Sequence, residues 1–146
     1  MKNLKKFTLL LFLSILAISC TKSNTTPGSC DTVCEYTIAS GETAGTMVSG
    51  SDGSYELTFD YAVASSPFTN GTTAKFTLLN NVLTVEVAGK DCITIKNPIK
   101  TSNTEYTFKD TCRDNLSYSV SATTSGDLNE INVSSTSGTW YGQFKK

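Results

Sequence analysis

From Cys34 onward, apolar residues recur at nearly every second position, the spacing of strands with one buried face. Tyr36 and Ile38 open the series. Tyr55, Leu57, Phe59, Tyr61 and Val63 then alternate with Glu56, Thr58, Asp60 and Ala62. Phe76 and Leu78 follow, then Leu83, Val85 and Val87, then Ile93 and Ile95. Tyr106 and Phe108 continue the period, as do Leu116, Tyr118, Val120 and Ala122, and then Ile131 and Val133; Trp140 and Phe144 flank Gly142 in a last strand. No helical period follows residue 20. The connections carry the same message: Asp52-Gly53, Asn70-Gly71, Asn80-Asn81, Gly89-Lys90, Gly126-Asp127 and Ser137-Gly138 suit tight turns with positive φ. Turns this closely spaced make consecutive strands hairpin neighbours. The pattern predicts one all-β domain over residues 30–146, an antiparallel meander of nine or ten strands. Such a sheet closes as a β-barrel or folds as a β-sandwich, because a long open sheet leaves its edges exposed.

The first twenty residues follow a different rule. Lys2, Lys5 and Lys6 form a basic start, Phe7 to Ile18 an apolar run, and a short small-residue stretch ends at Cys20. This is the layout of a secretory signal peptide. Twelve residues of helix span only ~18 Å, short of a ~30 Å hydrocarbon core. Ala17-Ile18-Ser19-Cys20 resembles the lipobox of bacterial lipoproteins, with Ala17 at the commoner leucine position and Ile18 at a commoner small-residue position. The resemblance implies cleavage after Ser19, so that residues 1–19 are a signal peptide, and acylation of Cys20. Thr21 is not the aspartate that retains some lipoproteins at the inner membrane, so the resemblance implies the outer membrane. Residues 20–29 contain Pro27-Gly28 and no apolar period, and read as a flexible tether. At its far end Asp31-Thr32-Val33 resembles a short O-glycosylation site of some Gram-negative exported proteins, but three residues specify little and the favoured reading is an ordinary strand start.

Charge narrows the partners. Three of the twelve Lys and Arg precede Cys20 and all thirteen carboxylates follow it, so the mature chain is acidic. Arg113 is its only arginine, and no basic patch of the kind nucleic acid requires is visible. The sequence has no histidine, which removes Ser-His-Asp and Cys-His catalysis and the commonest metal ligand. No nucleophile–base pair can be named, and the expectation is a non-enzyme without a cofactor.

Cys30, Cys34, Cys92 and Cys112 follow the anchor, and an even number in an exported chain points to disulfides. Three connectivities are open. The reading preferred from spacing is Cys92–Cys112 with Cys30–Cys34. A four-thiolate zinc site fits these spacings poorly. The loop Asp110-Thr-Cys-Arg-Asp-Asn115 is oxygen-rich but lacks the spacing of a calcium loop, and reads as a disulfide-pinned turn with an Arg113–carboxylate contact. Glu56 and Asp60 would stand ~13 Å apart along one strand, too far for a glycosidase acid pair, and point to water.

Tyr55, Phe59, Tyr61, Phe76, Tyr106, Phe108, Tyr118, Trp140 and Phe144 read as the filling of a core, with a ligand cavity as the other use of the same rings. Gly138-Thr139-Trp140-Tyr141-Gly142-Gln143 resembles the Gly-x-Trp signature of lipocalin and avidin-like barrels, although there it lies on the first strand. Many small bacterial lipoproteins similarly join such a signal to a β-rich domain ending in a Gly-aromatic strand. That resemblance implies a location and a fold class. The expectation for function is a membrane-anchored binding or interaction module for a small apolar ligand, glycan or protein; the other class is a structural lipoprotein with no soluble ligand. The candidate contacts are Tyr141, with Gln143 two residues along on the same face, and Trp140.

Overall fold

The computed structural model describes residues 30–48, 50–122, 125 and 127–146. The signal peptide, Cys20, the tether and Gly126 lie outside the described residues. Ten strands follow in order: β1 (Thr32–Glu35), β2 (Gly53–Val63), β3 (Thr73–Leu79), β4 (Val82–Val87), β5 (Ile93–Lys96), β6 (Ile99–Lys100), β7 (Glu105–Asp110), β8 (Leu116–Ser121), β9 (Glu130–Ser135) and β10 (Tyr141–Lys145). No helix occurs among the described residues, and the domain is all-β as the period-two pattern predicts.

All ten strands form one sheet in the order β1-β5-β4-β3-β2-β10-β9-β8-β7-β6. Consecutive strands from β2 to β5 and from β6 to β10 are antiparallel neighbours, so the two runs are meanders. Their outer members, β2 and β10, pair with each other. β5 and β6 stand near opposite ends of the sheet order yet are joined by only Asn97 and Pro98. The sheet must therefore curl until its ends approach, and it forms a half-barrel. Segment 36–45 spans the seam. Tyr36 N–H donates to the Lys96 carbonyl on one side, while Gly45 N–H donates to Pro98 and Thr43 accepts from Lys100 on the other.

The sheet is mixed where a wholly antiparallel one was expected. β1 runs parallel to β5, with Thr32 opposite Ile93 and Cys34 opposite Ile95. That pairing also corrects the expected disulfides. It carries Cys30 to Cys92, and it turns Cys34 inward across the seam to Cys112, with Cα separations of 5.4 and 5.7 Å. Local spacing favoured Cys30–Cys34 and Cys92–Cys112, but a parallel partner 60 residues away cannot be read from spacing.

The turns fall largely where expected. Asn80 and Asn81 both have positive φ and join β3 to β4, and Gly71, Gly89 and Gly138 take positive φ in the other tight connections. At Asp52-Gly53 the expectation shifts: Gly53 is the first residue of β2, and Gly50 carries the positive φ.

The core is one cluster. Phe59, Phe76, Phe108, Tyr118 and Phe144 are fully buried on the inner face, with Leu57, Leu83, Ile93, Ile95, Ile131 and Val133. Phe144 meets Phe59 at 5.0 Å and Phe76 at 5.2 Å, both edge to face. Two side chains from irregular segments join this cluster. Phe68, in the connection from β2 to β3, packs 5.4 Å from Phe59 and 5.2 Å from Phe144. Leu128, just before β9, is buried in the same cluster. The inner aromatics thus pack on one another, which is the core reading of the aromatic set.

Candidate functional site

β10 sorts the predicted contacts. Its alternation turns Gly142 and Phe144 inward and Tyr141, Gln143 and Lys145 outward. Tyr141 and Gln143 therefore share the outer face as expected. Trp140 does not join them: it is partly buried, packs against the core, and meets Phe68 edge to face at 6.1 Å. Gly142 allows this arrangement, since a Cβ there would lie 2.6 Å from Phe59 Cζ and 2.9 Å from the Tyr61 carbonyl oxygen.

Tyr61 and Val63 are where sequence counting fails. Alternation counted straight through β2 puts both inside with Phe59. In the structure Phe144 opposes Phe59 while Gln143 opposes Tyr61, so Asp60 is an extra residue without a partner, a β-bulge. The bulge reverses the facing of the rest of β2. Tyr61 and Val63 turn outward and are each 51% exposed, while Ala62 packs against the core. Val63 stands directly opposite Tyr141, itself 40% exposed, and Tyr61 opposite Gln143. The sequence does carry a signal for this: Ala62 is the one small apolar residue out of phase in the run. Asp60 forms an ion pair with Lys145 on the outer face.

Cross-strand register extends the face. From Tyr141 one row runs through Ser134 and Ser117 to Lys109; from Gln143 a second runs through Asn132 and Ser119 to Thr107. Tyr141 donates its hydroxyl to Asn132 Oδ1, and Gln143 Nε2 donates to Asn132 Oδ1 and Glu130 Oε2, each at 3.1 Å. These bonds hold the amides and the ring in fixed orientation. Partial burial, then the nearby Glu130 carboxylate, raises the Tyr141 pKa, so its hydroxyl is a neutral donor at physiological pH.

Beyond Ser134 the face deepens into a groove of about 460 Å³. Thr107, Lys109, Ser117, Ser119 and Ser134 line it, with Gly41, Glu42 and Thr43 from the seam segment, Ile99 and Lys100 of β6, and Thr101 just after it. Thr107 and Ser119 hydroxyls lie 3.0 Å apart. Lys109 Nζ donates to Glu42 Oε1 at 2.6 Å and to the Tyr36 hydroxyl at 3.3 Å, and it lies 4.9 Å from the centre of the Tyr36 ring. Tyr36 in turn donates to Glu42 Oε2 at 2.8 Å. The hydrogen bond from Lys109, then those from the Ala39 N–H and the Tyr36 hydroxyl, hold the Glu42 carboxyl down to about 2. Bonding to Glu42 raises Lys109 above its ordinary value.

This electrostatic state limits the chemistry. Ser117 stands opposite Lys109 in the register, the residue types of a serine–lysine pair. A lysine held protonated by a carboxylate cannot take a proton from serine. Elsewhere, Cys34, Asp110 and Cys112 bring ligand-type atoms within 4.8 Å of one another, but the two sulfurs are bonded together and offer no thiolate. The buried Asp110 instead accepts backbone N–H bonds from Cys112, Arg113 and Asp114 at 2.9–3.0 Å. Arg113 donates to Asp114 at 3.0 Å and to the Asp91 carbonyl at 2.6 Å, which is the pinned-turn reading of this loop. Glu56 and Asp60 are both exposed.

Comparison with protein-family models, curated proteins and solved structures found no match.

Proposed function

We propose that this chain is a lipid-anchored lipoprotein of the bacterial outer membrane whose β-domain is a non-catalytic binding module. In this reading Cys20 carries the acyl chains, residues 21–29 hold the domain off the lipid surface, and the outer face around Tyr141 meets the ligand. The bulge at Asp60 carries the proposal, because it sets Tyr61 and Val63 beside Tyr141 in the open. Two half-exposed rings and a valine gathered in one patch, where Leu79 on β3 and Val33 on β1 are exposed on other strands, are the composition of a contact surface. The fixed amides of Gln143 and Asn132 add donors and acceptors already oriented before binding.

Two experiments test the two parts. Cys20→Ser should release the protein from the membrane fraction to the soluble pool; retention in the membrane would remove the anchor. For the binding face, a photo-crosslinking residue is placed at Tyr61 or Tyr141 in intact cells, with Lys75 as the control. Adducts from the two tyrosine positions and none from Lys75 support the face. No adduct from either tyrosine position would leave a structural lipoprotein as the better reading.

A further inference from the structure

The groove next to Tyr141 is not part of the aromatic patch, yet it is continuous with it. Ser134 lines the groove and is the cross-strand partner of Tyr141. From Tyr141 the row Ser134, Ser117, Lys109 crosses three strand spacings, about 14 Å at ~4.8 Å each. At about 460 Å³ the groove falls inside the ~300–1,000 Å³ range of small-molecule sites.

Its chemistry selects a ligand class. β7, β8 and β9 give the groove three serines, a threonine and Lys109, and the apolar Ile99 lines its β6 side with Lys100. An apolar ligand would strip water from the Ser117 and Ser134 hydroxyls at a cost per group, while Thr107 and Ser119 bond each other. An anion would need a free cation in the groove. Two lysines line it: Lys109 has its charge matched by Glu42 at 2.6 Å, and Lys100, exposed on the β6 side, is a single solvated cation that holds an anion only weakly. Dense hydroxyls beside an exposed ring, around a neutralised ion pair, suit a chain of hydroxyl groups with apolar C–H faces. We infer that the groove binds an uncharged oligosaccharide, with one sugar stacked on Tyr141 and the chain crossing β9 and β8 toward the Lys109–Glu42 pair. In this arrangement Ser134, Ser117 and Ser119 exchange hydrogen bonds with sugar hydroxyls, and the ion pair offers Lys109 donors and Glu42 acceptors at the far end. The inference rests on the binding-face reading and names its ligand.

The test uses the full chain in mild detergent on an array of short, linear, neutral hexose, pentose and N-acetylhexosamine oligosaccharides, beside sulfated and uronic-acid counterparts. Binding to neutral members is expected. Ser117→Leu, which fills the groove, and Tyr141→Ala should each weaken it about tenfold or more, the factor that about 1.4 kcal/mol of lost contact gives. Lys75→Ala, on the other half of the sheet, should leave it unchanged. Circular dichroism checks each fold, and Ser134→Leu fills the same groove one strand over should Ser117→Leu not fold. Binding that Tyr141→Ala abolishes and both leucine variants leave intact overturns the groove while sparing the binding face. Binding confined to the charged members overturns the ligand class. No binding to any member overturns the inference, and the crosslinks at Tyr61 and Tyr141 then decide the binding-face reading by themselves.

Discussion

Two grooves of nearly equal size lie on the outer surface of the half-barrel, about 470 Å³ over β2–β4 and about 460 Å³ over β7–β9. They are made of different material. Across the first runs the row Glu56, Lys75, Glu86, acid–base–acid, with Lys75 and Glu86 paired at 3.3 Å and half exposed. Across the second run serines and a threonine, from an exposed tyrosine with two amides beside it to a single ion pair, Lys109–Glu42, at the seam. Charges that pair across a strand are satisfied by each other and by water, so a ligand there must displace both. Hydroxyls beside a ring lose little water structure that a sugar does not restore. Volume does not pick the site; the chemistry of the outward-facing register does.

The largest effect is expected where the two halves are tied together. Cys34–Cys112 joins the β1 edge to the end of β7, with a sequence separation of 78. With Cys30–Cys92 still closed, the loop that this bridge adds runs through it and is only about 25 residues long, which in the chain-entropy model contributes about 3.5 kcal/mol. Replacing both cysteines by alanine should lower the denaturation free energy by roughly that amount, read from urea unfolding.

Gly142→Ala comes next. Its new Cβ would press on Phe59 and on the Tyr61 carbonyl, so it loads the core and the bulge together. A loss of about 1–3 kcal/mol is expected, as for overpacking. Circular dichroism and urea unfolding measure it. A neutral result would mean that Phe59 and β2 yield more easily than their packing implies.

The seam pair gives a pH signature. The Glu42 carboxyl lies below its ordinary 4.5, at about 2, so its contribution is complete above 4.5 and is lost as pH falls through about 2. Lys109 is raised above its ordinary 10.5, so its contribution is complete below 10.5 and is lost as pH rises past it. The groups facing the pair are Tyr36 and the Ala39 N–H. Glu42→Gln should therefore melt below the parent protein between these limits. The two should converge at strongly acid pH. Parallel melting curves at every pH would show that the pair does not brace the groove wall.

Smaller still is deletion of Asp60. Removing the extra residue restores strict alternation in β2 with Tyr61 and Val63 still outward, and it removes the half-exposed ion pair to Lys145. A cost of about 1 kcal/mol or less is expected from the lost pair. Tyr61 should stay accessible to a surface-directed tyrosine reagent. Smallest is Lys75→Ala, which removes one partner of an exposed pair and should change stability by no more than about 1 kcal/mol.

What the sequence determined by itself is local. Period two decides that a segment is a strand and which residues share its face, and Asn80-Asn81 decides a hairpin, because both act over a few residues. Tyr141 and Gln143 could therefore be placed on one outer face from β10 alone. Tertiary structure decided the rest. The partner of β1 is set by which edge its backbone can satisfy after the sheet curls, so the parallel pairing with β5, and with it Cys30–Cys92 and Cys34–Cys112, appears only in the fold. The bulge at Asp60 arises because β2 must pair with β10 while leaving β3 beyond Phe59, a demand made by two neighbours at once. One inserted residue reverses the face of those that follow it, and so a strand's own code could not say that Tyr61 and Val63 would stand beside Tyr141.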